Sequence, residues 1–138
     1  MIGKVIVVII TAGFVWSFFV EPYKIQKNTI RIGLEGISSE IEKKTIVHIS
    51  DIHFRHFGRK EKLLVQLLKE INPDYLLITG DLIDRKSRNT KEFQDFCKRL
   101  AEVPRQETFL VFGNHEHRNQ SFQDFKKIIQ ESLSLIHI

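Results

Sequence analysis

The sequence predicts an α/β fold built on parallel strands, and three observations carry the prediction. Three apolar runs of strand length, residues 45–50, 75–79 and 108–112, each stop abruptly at a cluster of acidic, amide or histidine side chains. A segment with helical spacing follows each run: Leu64, Leu67, Leu68 and Ile71; then Phe93, Phe96, Cys97 and Leu100; then Phe122, Phe125, Ile128 and Ile129. Strand followed by helix, three times over, pairs the strands in parallel and lays helices against them.

The chain opens differently. Residues 5–20 (VIVVIITAGFVWSFFV) carry no charge, and Lys4 is the only charge before Glu21. At about 1.5 Å per residue this run falls short of a hydrocarbon layer roughly 30 Å thick. Residues 1–3 are also uncharged, however, and Lys4 can snorkel to the interface, so residues 1–22 read as a single transmembrane anchor. Trp16 and Tyr23 suit the interfacial aromatic belt. A cleaved signal peptide and a buried core helix are the rivals; no small-x-small cleavage pattern follows, because Phe18, Phe19, Val20, Glu21 and Pro22 fill that place. Lys4 on one side and Lys24, Lys27 and Arg31 on the other leave the membrane face of the remaining chain open.

Glu21 and Pro22 break the helix, and residues 23–43 read as a juxtamembrane linker or a short edge strand, with a loop at Gly36, Ile37, Ser38 and Ser39. The folded domain is expected over residues 44–138. Ser121 stands as the N-cap of the last helix, with Asp124 in its first turn. Most of the eleven Phe fall at helical spacing and are core candidates.

With 138 residues, 42% of them hydrophobic, the chain can bury one compact core, small for an enzyme with two metals. Its net charge of +4 comes from 21 basic and 17 acidic residues that are interspersed, which describes a solvated surface, so nucleic acid is not an expected partner. Cys97 is the single cysteine and excludes both an internal disulfide and a cysteine-rich zinc cluster.

In an open α/β sheet, ligands bind beyond the carboxyl ends of the strands, where the loops converge. All three polar clusters fall there: Asp51-Ile52-His53, Gly80-Asp81-Leu82-Ile83-Asp84 and Gly113-Asn114-His115-Glu116. An extended backbone would place Asp51 and His53 on one face, where together they could grip a cation. Carboxylate oxygen with imidazole nitrogen suits manganese, iron or zinc better than calcium. Asp81 could offer its two oxygens to two cations about 3.5 to 4 Å apart. Gly80 and Gly113 allow a sharp turn and leave room beside a bound phosphate. Taken singly, each cluster also reads as an ordinary turn or as carboxylates at a helix start. Three of them at successive strand ends point to one site.

The three motifs, D-x-H, G-D-x-x-D and G-N-H-E in order, with 26 and 28 residues between them, resemble the front half of the calcineurin-like metallophosphoesterase family. The likeness covers residues 44–132, and the anchor is similar to that of membrane-attached bacterial members. The resemblance implies a two-sheet, four-layer fold of which this chain holds the front half, and hydrolysis of phosphate mono- or diesters with two divalent transition metals (manganese, iron or zinc). It implies that Asp51 and His53 bind the first metal, Asp81 bridges both, and Asn114 binds the second. His115 would stabilise the transition state or protonate the leaving oxygen, and Asp84 would orient His115 by hydrogen bonding. Glu116 would stand behind the ligands and support them, with Gly80 and Gly113.

The family completes its metal sites with histidines in G-H and G-H-x-H motifs, and this chain has neither. His48, His56, His117 and His137 read as surface or tail residues. The ending, residues 132–138, is unlike the segment that family members carry after this helix; it reads as the start of another strand or as an out-of-frame closure of an interrupted gene. Three alternatives stay open: a membrane-tethered interaction module without hydrolysis, a nuclease-like relative, and a pyrophosphatase acting on a lipid-linked nucleotide.

Overall fold

The computed structural model describes residues 2–19, 25–33, 35–105, 107–133 and 136–137, with backbone alone at 2, 18, 19, 136 and 137. It divides into two compact units, Met1–Arg31 and Ile32–Ile138.

In the first unit, α1 (Ile2–Phe19) is helical. Its described apolar side chains, among them Val5, Val8, Ile10, Phe14 and Trp16, are exposed. Among the described residues no helix is long and apolar enough to cross a membrane. The transmembrane reading draws on Val20, Glu21 and Pro22, which lie outside the described residues, as does Tyr23. Residues 25–33 form neither helix nor strand.

The second unit alternates β1 (Ile46–Ile49), α2 (Arg59–Ile71), β2 (Tyr75–Thr79), α3 (Thr90–Ala101), β3 (Glu107–Val111), the single turn α4 (Asn114–His117), α5 (Phe122–Ser132) and β4 (Ile136–His137). The sheet order is β1-β2-β3-β4, every pair parallel, with Ile46 beside Tyr75 and Tyr75 beside Glu107 in register. Residues 136 and 137 thus add a fourth strand beside β3. In-register parallel pairing aligns the exits of β1, β2 and β3, and this brings the three polar loops together.

One face of the sheet is buried through Leu76, Ile78, Thr108 and Leu110. The residues between them point the other way, and Ile46, Phe109 and Val111 are exposed. The apolar stripes of the helices supply the core: Leu64, Val65 and Leu68 from α2, Phe93, Phe96, Cys97 and Leu100 from α3, Phe125 and Ile129 from α5. Phe54, Phe93, Phe96 and Phe125 meet with ring centroids 5.0 to 5.4 Å apart, edge-to-face or stacked. Ser121 takes the N-cap place of α5 without a side-chain cap bond; its own N–H donates to Asn119 Oδ1 at 2.7 Å.

Candidate metal centre

Residues 51–54 alternate as they leave β1. Ile52 and Phe54 are buried at 5% and 0% exposure, while Asp51 is exposed and His53 half-buried. The core therefore anchors this loop from beneath. The backbone is not extended, as the spacing of Asp51 and His53 had suggested: both are left-handed, with φ of 54° and 50°. The turn lets their amides pair with the neighbouring loop, Asp51 N–H to Gly80 carbonyl at 3.3 Å, His53 N–H to Asp81 carbonyl at 2.9 Å and Phe54 N–H to Leu82 carbonyl at 2.9 Å. The two side chains still meet, with His53 Nε2 3.8 Å from Asp51 Oδ1.

Gly80 (φ 82°) and Asp81 (φ 50°) turn the second loop in the same sense. A Cβ at Gly113 would lie 2.2 Å from Asp81 Oδ1 and 2.6 Å from the Asp81 nitrogen, so the third loop approaches this carboxylate only because position 113 has no side chain. Asp81 Oδ1 accepts the His115 N–H at 3.0 Å. One potential ligand atom from each of His53, Asp81 and His115 lies within 4.8 Å of the others. The His53 and His115 rings meet edge to face, centroids 4.5 Å apart.

Among the described residues, His53 Nδ1 is the only buried side-chain nitrogen or oxygen without a hydrogen-bond partner. An unsatisfied buried polar atom costs about 1–3 kcal/mol. Two imidazoles and a carboxylate this close together fit a divalent transition metal, and the orphaned nitrogen belongs to one of those imidazoles. Asp51 stands at the edge of the cluster, in touch with it through His53, and Asn114 is the exposed first residue of α4.

Glu116, fully buried, ties the loops together. Its Oε2 accepts the N–H groups of Asp81 (3.0 Å) and Gly113 (2.8 Å), and its Oε1 accepts that of Ile83 (2.7 Å). The bond to Gly113 also satisfies the N-cap N–H of α4 from a glutamate three residues on, one half of a capping box, since glycine has no side chain to supply the other.

Asp84 departs from the hydrogen bond to His115 that the family resemblance implied. Its Oδ2 accepts Arg55 Nη2 at 3.0 Å and its Oδ1 accepts the Lys86 N–H at 2.8 Å, while His115 Nδ1 faces the Arg85 N–H at 3.4 Å. The cause is the parallel bridge between Phe54 and Ile83, which sets Arg55 beside Asp84. Burial alone would raise the Asp84 carboxyl; the Lys86 N–H, the Arg55 guanidinium and the positive charge available on His115 outweigh it and hold the carboxyl below its ordinary range.

Sequence reasoning missed Arg55 and Asn119. Asn119 is buried and donates from Nδ2 to the carbonyls of Asp84 (2.9 Å) and Ser87 (3.1 Å), pinning the second loop to the segment before α5. Both act across about thirty residues of sequence, where no local pattern marks them. His48 pairs with Thr79, and His117 packs against Phe122. The side chain of His137 lies outside the described residues.

A sequence model of the calcineurin-like phosphoesterase family matches residues 44–135. The chain is 29% identical over 120 residues to the uncharacterized metallophosphoesterase YkoQ of Bacillus subtilis (strain 168), covering 80% of this chain and 44% of that protein. An uncharacterized metallophosphoesterase of Aquifex aeolicus (strain VF5) is 31% identical over 115 residues, 78% of this chain and 42% of the relative. A Danio rerio protein named a transmembrane protein with metallophosphoesterase domain is 27% identical over 90 residues, 64% of this chain and 20% of the relative. The chain thus spans less than half the length of these curated relatives. No solved structure matches. The matched span takes in all three polar loops and the strands β1, β2 and β3 that align them, and the chain belongs to the calcineurin-like phosphoesterase family.

Proposed function

We propose that this chain contributes the front part of a metal-dependent phosphoesterase site that hydrolyses phosphate mono- or diesters. The observation that carries the reading is the orphaned, buried His53 Nδ1 in a cluster with Asp81 and His115. Two divalent transition metals held there would activate water and clamp phosphoryl oxygens. On this reading His53 and Asp81 hold metal from the centre, with Asp51 and Asn114 at the rim. His115 acts on the leaving oxygen or on transition-state charge. Glu116 fixes the loop backbones, and Asp84 works on His115 through its charge.

We also propose that α1 attaches the protein to a membrane. Its exposed apolar side chains support this, as does the name of the zebrafish relative. Its described side chains, residues 3–17, reach about 22 Å at 1.5 Å each, so a full crossing needs the flanking residues as well.

Calorimetric titration of the full chain in detergent with manganese tests the metal reading. Binding is expected in the wild type and is expected to weaken at least tenfold in Asp81→Ala, about 1.4 kcal/mol. Absence of binding in the wild type, or unchanged binding in the variant, overturns it. Because His115 also lies in the cluster, His115→Ala decides its part: retained manganese supports the acid role, and lost manganese makes His115 a ligand.

A further inference from the structure

Arg55 stands two residues beyond His53, and the backbone of the preceding residue is held to the second polar loop by a donated and an accepted bond. Phe54, fully buried, donates its N–H to the Leu82 carbonyl at 2.9 Å and accepts the Asp84 N–H at 3.1 Å, so the chain around Arg55 runs as a short ladder beside the second polar loop. Arg55 Nη2 then meets Asp84 Oδ2 at 3.0 Å. The pair is asymmetric: the Asp84 side chain is 9% exposed and that of Arg55 61%. Only one of the guanidinium's five N–H groups is needed for this contact, and the others have no protein partner among the described residues.

Stability is a poor account of this pair. Solvent screens the pair from the Arg55 side, so its contribution is on the order of 1 kcal/mol, and Asp84 already receives the Lys86 N–H. Charge gives a better account. The loops carry Asp51, Asp81 and Asp84 around the cluster, a field that repels an anionic ester. A guanidinium held at one end by a carboxylate presents its other edge as a preset fork for a second set of oxygens, the geometry in which arginine binds phosphate.

We propose that Arg55 is a substrate-binding residue: anchored through Asp84, it donates its outward N–H groups to an anionic oxygen of the phosphate ester lying against His53, Asp81 and His115. The inference rests on the phosphoesterase reading given above and adds the residue that receives the substrate's charge. Asp84 then has a positioning part, holding one end of the Arg55 guanidinium.

The test uses the full chain in detergent, saturated with manganese and titrated calorimetrically with inorganic phosphate. Arg55→Ala is expected to leave manganese affinity within about twofold of wild type and to weaken phosphate about tenfold or more, the effect of one lost charge-assisted contact. Arg55→Lys keeps a cation for Asp84 but lacks the second edge of the fork. It is expected to weaken phosphate in the same direction, which separates a lost ligand from a loop disturbed by an unpaired Asp84. Wild-type phosphate affinity in either variant overturns the proposal while leaving the metal reading intact. So does loss of manganese together with phosphate in Arg55→Lys, since Arg55 would then be holding the loop. If the wild type takes up manganese but no phosphate, the proposal also fails. A wild type that binds no manganese sinks the phosphoesterase reading itself, and this one with it.

Discussion

Glu116 accepts the backbone N–H of Asp81 at 3.0 Å, and through this bond the loop after β3 holds the loop after β2. Three N–H groups converge on this one buried carboxylate. In Glu116→Gln an amide NH₂ would face amide donors, leaving at least one buried N–H unsatisfied at a cost of about 1–3 kcal/mol. Urea unfolding should show that loss, and manganese affinity should fall with it because the loop that carries Asp81 is held less firmly. A variant with wild-type stability and metal affinity would refute the clamp.

Gly113→Ala should act more locally. The added methyl meets the Asp81 carboxylate and its backbone nitrogen, both inside contact distance, so Asp81 must move. Metal binding is expected to drop more than the melting temperature does. Calorimetry and a thermal melt on the same preparation compare the two; a variant that binds manganese as the wild type does would show that the loop gives way at no cost.

Acid should loosen the start of the sheet. Asp74 accepts the Thr45 N–H at 2.8 Å and Lys44 Nζ at 3.1 Å, and these contacts hold its carboxyl below the ordinary value of 3.8. A carboxyl depressed in the folded state adds stability above its unfolded value, and that contribution fades as pH falls from 3.8 through the folded value. Stability measured from pH 6 to 2 should therefore fall less steeply in Asp74→Asn. Parallel curves for the two proteins would contradict this.

Cys97 should be chemically silent while the protein is folded. It is fully buried in α3, and burial pushes its thiol up to about 12. A thiol reagent at pH 8 should label it only as fast as the protein opens, with labelling completed by denaturant. Rapid labelling of native protein would count against the described packing of α3.

The membrane proposal predicts that the full chain partitions into detergent while a version beginning at Lys44 stays in the aqueous phase. Recovery of the full chain in the aqueous phase after an alkaline carbonate wash would tell against it.

The fold was legible where periodicity decides. The strand expected at residues 75–79 is β2, and those expected at 45–50 and 108–112 match β1 and β3 to within one or two residues at their ends. Phe93, Phe96, Cys97 and Leu100 are buried as a set because a stripe of helical period has one way to face a sheet. Leu67 and Ile71 are only half-buried and Val65 took their place in the core, since the stripe fixes a face and leaves its rotation to tertiary packing. The clustering of His53, Asp81 and His115 followed from strand-end convergence. The Arg55–Asp84 pair and the hold of Asn119 on Asp84 and Ser87 did not, because each joins loops whose facing residues are known only once the register is set.

Five described residues other than glycine have positive φ, and three of them are Asp51, His53 and Asp81. Such a turn strongly disfavours valine, isoleucine and threonine on steric grounds and favours glycine, asparagine, aspartate and histidine, at about 1–2 kcal/mol for a residue with a Cβ. The backbone thus filters these positions before any chemistry is asked of them, and the residues that pass are largely those able to ligate a cation. A descendant that had given up metal would still draw from the same few amino acids here, and its sequence would go on resembling that of an enzyme.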